Sequence, residues 1–331
     1  MRIGVIGAGA IGGAIAALLD RAGHEVSVTA RGEHLAAIRT DGLRLDGGWG
    51  EHTARVRAAT TLLETPELAF VCTKAQDAES AIRENAAHLA GITVVVVQNG
   101  LAGLRQAVEL LPDSTCVGAL ALYATSYLSP GRITVTTTAN TYLGSGSGPA
   151  SAPAIEAARI LDTAMPSKAV PNFTGCQWTK LIVNQVNAMP AITGLSVQQT
   201  IADPRLRRVI TASMREAVRV GYARGIRYGS IQGLSDGILR FVASAPLWAA
   251  QLVPLLMKRR MGARPNPGST LQSIRRGQRS EIDYLNGAVV AEAQAAGRAA
   301  PINAALTALV HEVERSGAFL APDAIVERVR A

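Results

Sequence analysis

The first residues in this chain that could do chemistry are glycines at a fixed spacing, Gly7-Ala8-Gly9-Ala10-Ile11-Gly12. Between a strand and a helix, this spacing makes a cradle for a pyrophosphate. Gly7 permits the tight turn, Gly9 lets the main chain approach the ligand, and Gly12 lets the helix pack on the strand. The amides of the helix start, Ala10 and Ile11 among them, are then aimed at the phosphates. Residues 3–19 carry no charge and follow Arg2, which is also the outline of a secretory signal or a short membrane anchor. The pattern favours the cradle. Residues 2–6 read as a buried strand, a helix closes at Gly23, and residues 26–30 read as a second strand. Six glycines between residues 4 and 23 would weaken a membrane helix.

A dinucleotide that carries hydride needs its ribose recognised. NAD sites place an acid at the end of the second strand, whereas here that strand runs into Thr29-Ala30-Arg31-Gly32. The Arg31 guanidinium suits a 2′-phosphate, so NADPH is the expected cofactor. Glu33, two residues on, is the acid that an NAD reading would use instead.

Hydride transfer to a carbonyl leaves an anionic oxygen that needs a proton or a strong hydrogen bond. The five histidines, His24, His34, His52, His88 and His311, leave residues 89–310 without one. Lysine is the next candidate. In WTKLIVNQVNAMP, Lys180, Asn184 and Asn187 stand at i, i+4 and i+7, so one face of an otherwise apolar helix carries an ammonium and two amides. In a cleft those groups can be satisfied by substrate, and desolvation would lower the lysine pKa towards use as a proton donor. The structural alternative is a buried lysine paired with a carboxylate.

Two further stretches carry polar groups. In GSTLQSIRRGQRSEIDYLNG, Ser269 and Gln272 fit a capping box for a helix running towards Gly297, and Glu281 is either a solvated helix acid or an acceptor for a substrate hydroxyl. In VVQNG, Asn99 follows a parallel strand at the edge where such sheets bind ligands, a position that also suits a plain turn residue.

These residues need a frame. Strand and helix patterns alternate through residues 68–73, 75–89, 92–97 and onward from Gly100, followed by Thr- and Val-rich segments at 115–123, 133–138 and 141–144. After a turn-rich break at 145–153 and a helix to about residue 164, strand signals stop, and breakers at Pro190, Gly194, Pro204, Gly225, Pro246 and the PNPG of 265–268 divide a helical remainder. The expectation is an α/β Rossmann-type N-terminal domain (1–170, NADPH-binding) followed by an all-α C-terminal domain (171–331, substrate and catalysis), with the ligand cleft between them.

Composition narrows the class. Hydrophobic residues make up 48% and charged residues 18% of the 331, a globular balance. The net charge of +8 comes from scattered arginines, with four lysines among the 33 basic residues and few aromatics to interleave. No nucleic-acid surface is visible in that pattern. No segment after the N-terminus is long and apolar enough to span a bilayer, and no metal site is expected. Three scattered cysteines without a CxxC fit a reduced, cytoplasmic setting.

Taken together, the residues resemble the ketopantoate reductase (2-dehydropantoate 2-reductase) family. The pieces are GAGAIG at 7–12, Arg31, TKAQD with Lys74, QNG at 98–100, WTKLIVNQVNA at 178–188, SEIDYLNG at 280–287 and PIN at 301–303. The resemblance implies NADPH-dependent reduction of a 2-oxo acid, with Lys180 as proton donor and with Asn99 and Lys74 near the nicotinamide and the reacting carbonyl. It implies Asn184 and Glu281 on the substrate hydroxyl, and Ser269 with its helix start on the carboxylate; Asn187 completes the substrate set. The expected partner is a small 2-oxo acid, and a homodimer is left open. Three departures, Ala188 where many members have proline, Ser273 in place of an aspartate, and PNPG as a local insertion, fall on the substrate side. They leave room for a reductase of a larger oxo acid or an imine. A non-catalytic NADPH sensor would have no use for Lys180, Asn184 and Glu281 together.

Overall fold

The computed structural model describes residues 1–262 and 265–329, and the chain divides into two compact units, Met1–Phe173 and Thr174–Ala331. The first unit holds twelve strands: β1 (Arg2–Ile6), β2 (Glu25–Thr29), β3 (Leu43–Gly47), β4 (His52–Ala54), β5 (Arg57–Ala59), β6 (Leu68–Val71), β7 (Thr93–Val97), β8 (Thr115–Ala121), β9 (Ala124–Ser129), β10 (Arg132–Thr137), β11 (Thr141–Gly144) and β12 (Ser167–Ala169). Eight of them form one sheet in the order β12-β11-β8-β7-β6-β1-β2-β5, parallel from β5 to β8, with β11 antiparallel to β8. The central strands read as continuous apolar runs because both faces are covered; every residue of β6 is buried. The chain leaves β1 towards β2 on one side and returns to β6 on the other, so the loops after β1 and β6 flank a topological switch point, the usual ligand edge of such sheets.

A second sheet, β4-β3-β10-β9, packs on the helix Ala10–Arg21, which therefore lies between two sheets. That explains the small residues opening this helix: a side chain on Gly13 would collide with Ile133 of β10. The βαβ unit at the N-terminus is as expected from the sequence. The short strands β3, β4, β5, β9 and β12 were not anticipated, since segments such as His52-Thr53-Ala54 are too short and polar to show alternation.

Among the described residues the second unit contains helices and no strand. Its axis is the helix Pro204–Ala223, started by Asp203, whose carboxylate accepts from the Arg205 amide at 2.8 Å, with Pro204 in the first turn. Pro190 breaks the lysine helix. It has no N–H for the Val186 carbonyl, and the chain tightens into a 3-10 turn at Gln185–Asn187 between the helices Phe173–Asn184 and Ala188–Thr193. The helix expected from Ser269 to Gly297 is instead two, Gly268–Arg275 and Asn286–Ala295. Gly277, at φ +65°, ends the first, and its amide donates to the Ile274 carbonyl at 2.9 Å. No described helix is long and apolar enough to cross a membrane.

A buried polar knot ties this unit together. The Ser213 hydroxyl donates to Asn303 Oδ1 at 2.9 Å and Asn286 Nδ2 donates to the same oxygen at 3.0 Å. Asn303 Nδ2 donates to Glu216 at 2.8 Å, and the Glu216 carboxylate also takes the amides of Ile302 and Asn303, capping the helix Pro301–Ser316. Asn286 and Asn303 are fully buried, so the asparagines of LNG and PIN hold helices together. Replacing Asn303 by Leu leaves Glu216 and Asn286 short of partners and should cost about 3 kcal/mol of stability. Urea denaturation measures it, and a loss under ~0.5 kcal/mol would contradict the role given to the knot.

Candidate functional site

The glycine loop leaves β1 with Gly7 at φ +91°, a conformation that a side chain would strain. Thr29, at the end of β2, pins it: the Gly7 amide donates to Thr29 Oγ1 and the Ala8 amide to the Thr29 carbonyl, both at 2.9 Å. A Cβ on Gly12 would run into the Gly7 carbonyl oxygen, which is why helix and strand meet so closely here. At Gly9 the opposite holds, since nothing lies within 4 Å of where a Cβ would be. No described acceptor takes the amides of Gly9, Ala10, Ile11 or Gly12. Four amides without a described acceptor at a helix start, beside an exposed Gly9, fit a pyrophosphate.

The other cofactor-side candidates surround this edge of the first unit. Arg31 follows β2 and is exposed, ion-paired with Glu84 at 2.7 Å. Glu33 lies in the first turn of the next helix, Gly32–Asp41, and is exposed. Lys74 follows β6 and Asn99 follows β7, on neighbouring parallel strands, and both are partly buried. Gln98 joins these two loops, its Nε2 donating to the Thr73 carbonyl at 3.0 Å. Two buried hydroxyls near this edge, those of Thr73 and Tyr123, have no hydrogen-bond partner among the described residues; a sequence gives no signal for either.

In the second unit, Trp178 and Thr179 fix the helix that carries Lys180. Both are buried, and the Thr179 hydroxyl bridges the carbonyls of Gly175 and Gly229 at 3.0 and 2.7 Å. With those residues packed inward, Lys180 and Asn184 fall one turn apart on one face. Burial lowers the Lys180 pKa from 10.5 to about 8. Among the described residues no carboxylate lies within 4.0 Å of its ammonium.

Asn187 sits in the 3-10 turn, so the face does not continue to it as a regular helical stripe. It reaches the start of the helix Gly268–Arg275 instead: a Cβ on Gly268 would stand 2.8 Å from Asn187 Oδ1, and Gly268 has φ +73°. The Ser269–Gln272 capping box is absent. Asn266 of the PNPG segment takes the Gly268 amide at 2.9 Å and the helix starts earlier, leaving Ser269 exposed in the first turn. The capping box that does form is Ser196 with Gln199. Glu281 is half-buried ahead of the 3-10 turn Ile282–Tyr284, and the preceding amide, of Ser280, donates to Glu314 at 2.8 Å. His311 bridges Glu314 and Asp283, each at 2.8 Å; burial opposes its charge, but these two carboxylates raise its pKa overall.

Residues 3–148 match the family model described as ketopantoate reductase PanE/ApbA, and residues 172–314 match its C-terminal counterpart. The chain belongs to the ketopantoate reductase family. It is therefore an oxidoreductase by family. The 2-dehydropantoate 2-reductase of Archaeoglobus fulgidus is 28% identical over 95% of this chain and 98% of its own length, and that of Halobacterium salinarum is 28% identical over 96% and 100%. A crystal structure of a PanE/ApbA family ketopantoate reductase from Ralstonia eutropha superposes with a TM-score of 0.81 at 29% identity, covering 95% of this chain and 99% of the other. The D-mandelate dehydrogenase solved with NADH and anilino(oxo)acetate shares the fold with a TM-score of 0.83 at 20% identity, over 96% and 99% of the chains.

The desolvated lysine of this ketopantoate reductase family member has a thermodynamic signature. Its folded pKa lies below its unfolded value, so between about pH 8 and 10.5 the unfolded chain holds the extra proton and stability rises with pH. Lys180→Met should gain stability over the wild type at neutral pH, and the gain should shrink as pH climbs through that window. Thermal melts across pH measure it, and a gain independent of pH would contradict the buried charge.

Proposed function

We propose that this chain reduces a 2-oxo acid to the 2-hydroxy acid with NADPH, ketopantoate or a close analogue being the substrate. The observation that carries the reading is Lys180: an ammonium on an apolar helix, its pKa lowered to about 8, with no carboxylate neutralising it among the described residues. An ammonium in that state holds a transferable proton near neutral pH and seeks an anionic partner. When bound, a reduced nicotinamide supplies the hydride. The amides of Gly9 to Gly12 would take its pyrophosphate, Arg31 its 2′-phosphate, and Lys74 and Asn99 would serve the nicotinamide and the reacting carbonyl. Lys180 gives its proton to the oxygen that becomes the hydroxyl, Asn184 and Glu281 hold the substrate's other hydroxyl, and Ser269 with Asn187 and the first-turn amides receives the carboxylate.

The names of the relatives support the substrate class. The departures on the substrate side support a second reading, a larger oxo acid or an imine: Ala188 and Ser273 are both buried where the family commonly has proline and aspartate. Three unpaired cysteines, each with its thiol pKa raised by burial, support a cytoplasmic setting.

Lys180→Ala should cut turnover by ~10²-fold with NADPH binding nearly intact. Initial rates on ketopantoate and bulkier 2-oxo acids measure it, and wild-type turnover would remove Lys180 from the reaction. Arg31→Ala should weaken NADPH far more than NADH, whereas equal losses would contradict the phosphate role.

A further inference from the structure

One residue outside the expected set is built into the glycine loop. His34, on the helix Gly32–Asp41, places Nε2 2.7 Å from the Ala8 carbonyl oxygen. A carbonyl only accepts, so Nε2 carries a proton. On the other side the Gly131 amide donates to Nδ1 at 2.9 Å, so Nδ1 is bare. The two contacts together fix a neutral ring in a single tautomer. Its orientation is held by the Tyr127 ring, edge-on with centroids 5.0 Å apart.

The carbonyl it holds matters. In a helix begun one residue earlier, the Ala8 oxygen would accept from the Gly12 amide, four residues on. Here His34 occupies it, and the Gly12 amide stays free with those of Gly9, Ala10 and Ile11. The peptide between Ala8 and Gly9 is trans, so drawing the carbonyl towards His34 turns the N–H of the exposed Gly9 to the opposite side of the peptide. We infer that His34 is a positioning residue for the dinucleotide, holding the Ala8–Gly9 peptide so that the first-turn amides remain open to a pyrophosphate. The inference rests on the loop being the cofactor site.

Acid should undo the arrangement. A second proton would go on Nδ1, directly against the Gly131 N–H. Tyr127 on β9 is the titratable side chain packed on the ring, the glycine loop and the Gly131 turn present only main chain, and among the described residues no charged side chain pairs with it. Burial lowers its pKa, in keeping with a ring that must stay neutral.

Amide side chains separate the two contacts. His34→Gln can keep a donor near the Nε2 position, and His34→Asn can keep an acceptor near Nδ1 while losing the donor. With NADPH and NADH binding followed by fluorescence, the Asn variant should bind both ~10-fold more weakly and the Gln variant within ~3-fold of wild type. Wild-type affinity for NADH, which has no 2′-phosphate to titrate, should fall between about pH 7 and about pH 5, and the Gln variant should lose that dependence. Nitrogen NMR of the wild-type imidazole, which needs no variant to fold, should report the Nε2–H tautomer. An Nδ1–H tautomer, or equal affinities in the Asn and Gln variants, would overturn the inference alone. A wild-type protein that binds neither dinucleotide would overturn the cofactor reading and the inference with it.

Discussion

A partly buried ammonium, Lys180, with no carboxylate partner among the described residues is the constraint on which the reading of the second unit depends. Water would stabilise the Lys180 charge better than this helix does, and burial brings its pKa to about 8. A chain selected for stability alone would place an apolar residue there or give the lysine a carboxylate. The neighbouring residues fix its helix: Trp178 and Thr179 are buried, and the Thr179 hydroxyl bonds the carbonyls of Gly175 and Gly229. Stability is recovered elsewhere, in the Ser213–Asn286–Asn303–Glu216 knot that crosses three helices.

The first unit shows the same logic with main-chain groups. Every helix start leaves four amides without an intrahelical acceptor, and here no described residue caps them, while the groups around them are bonded. Thr29 bonds the amides of Gly7 and Ala8, and His34 bonds the Ala8 carbonyl. Residues of two other elements, Thr29 of β2 and His34 of the helix Gly32–Asp41, thus bond both sides of the loop's first peptides.

Much of this was legible in the sequence where one residue type has one physical use. The glycines at 7, 9 and 12 are readable because steric demands at those positions admit little else, and the structure shows the demand at Gly7 and Gly12 directly. The helical second half was readable from its spacing of apolar residues and breakers. What escaped depended on contacts distant along the chain. The Ser269–Gln272 pair has the spacing of a capping box, yet Asn266 starts that helix first, and spacing alone cannot rank two candidate caps. Asn286 and Asn303 look like any polar helix residues until their helices are packed. His34 carried no signal, because its role depends on Gly131, 97 residues away.

A desolvated lysine ammonium with no carboxylate partner among the described residues is best tested by following the lysine side chains directly. The chain has only four, at 74, 168, 180 and 258, so selective isotope labelling and NMR titration can resolve each. One lysine should titrate near pH 8, and that signal should vanish in the Lys180→Met variant. Four lysines all titrating near the ordinary value of ~10.4 would contradict it.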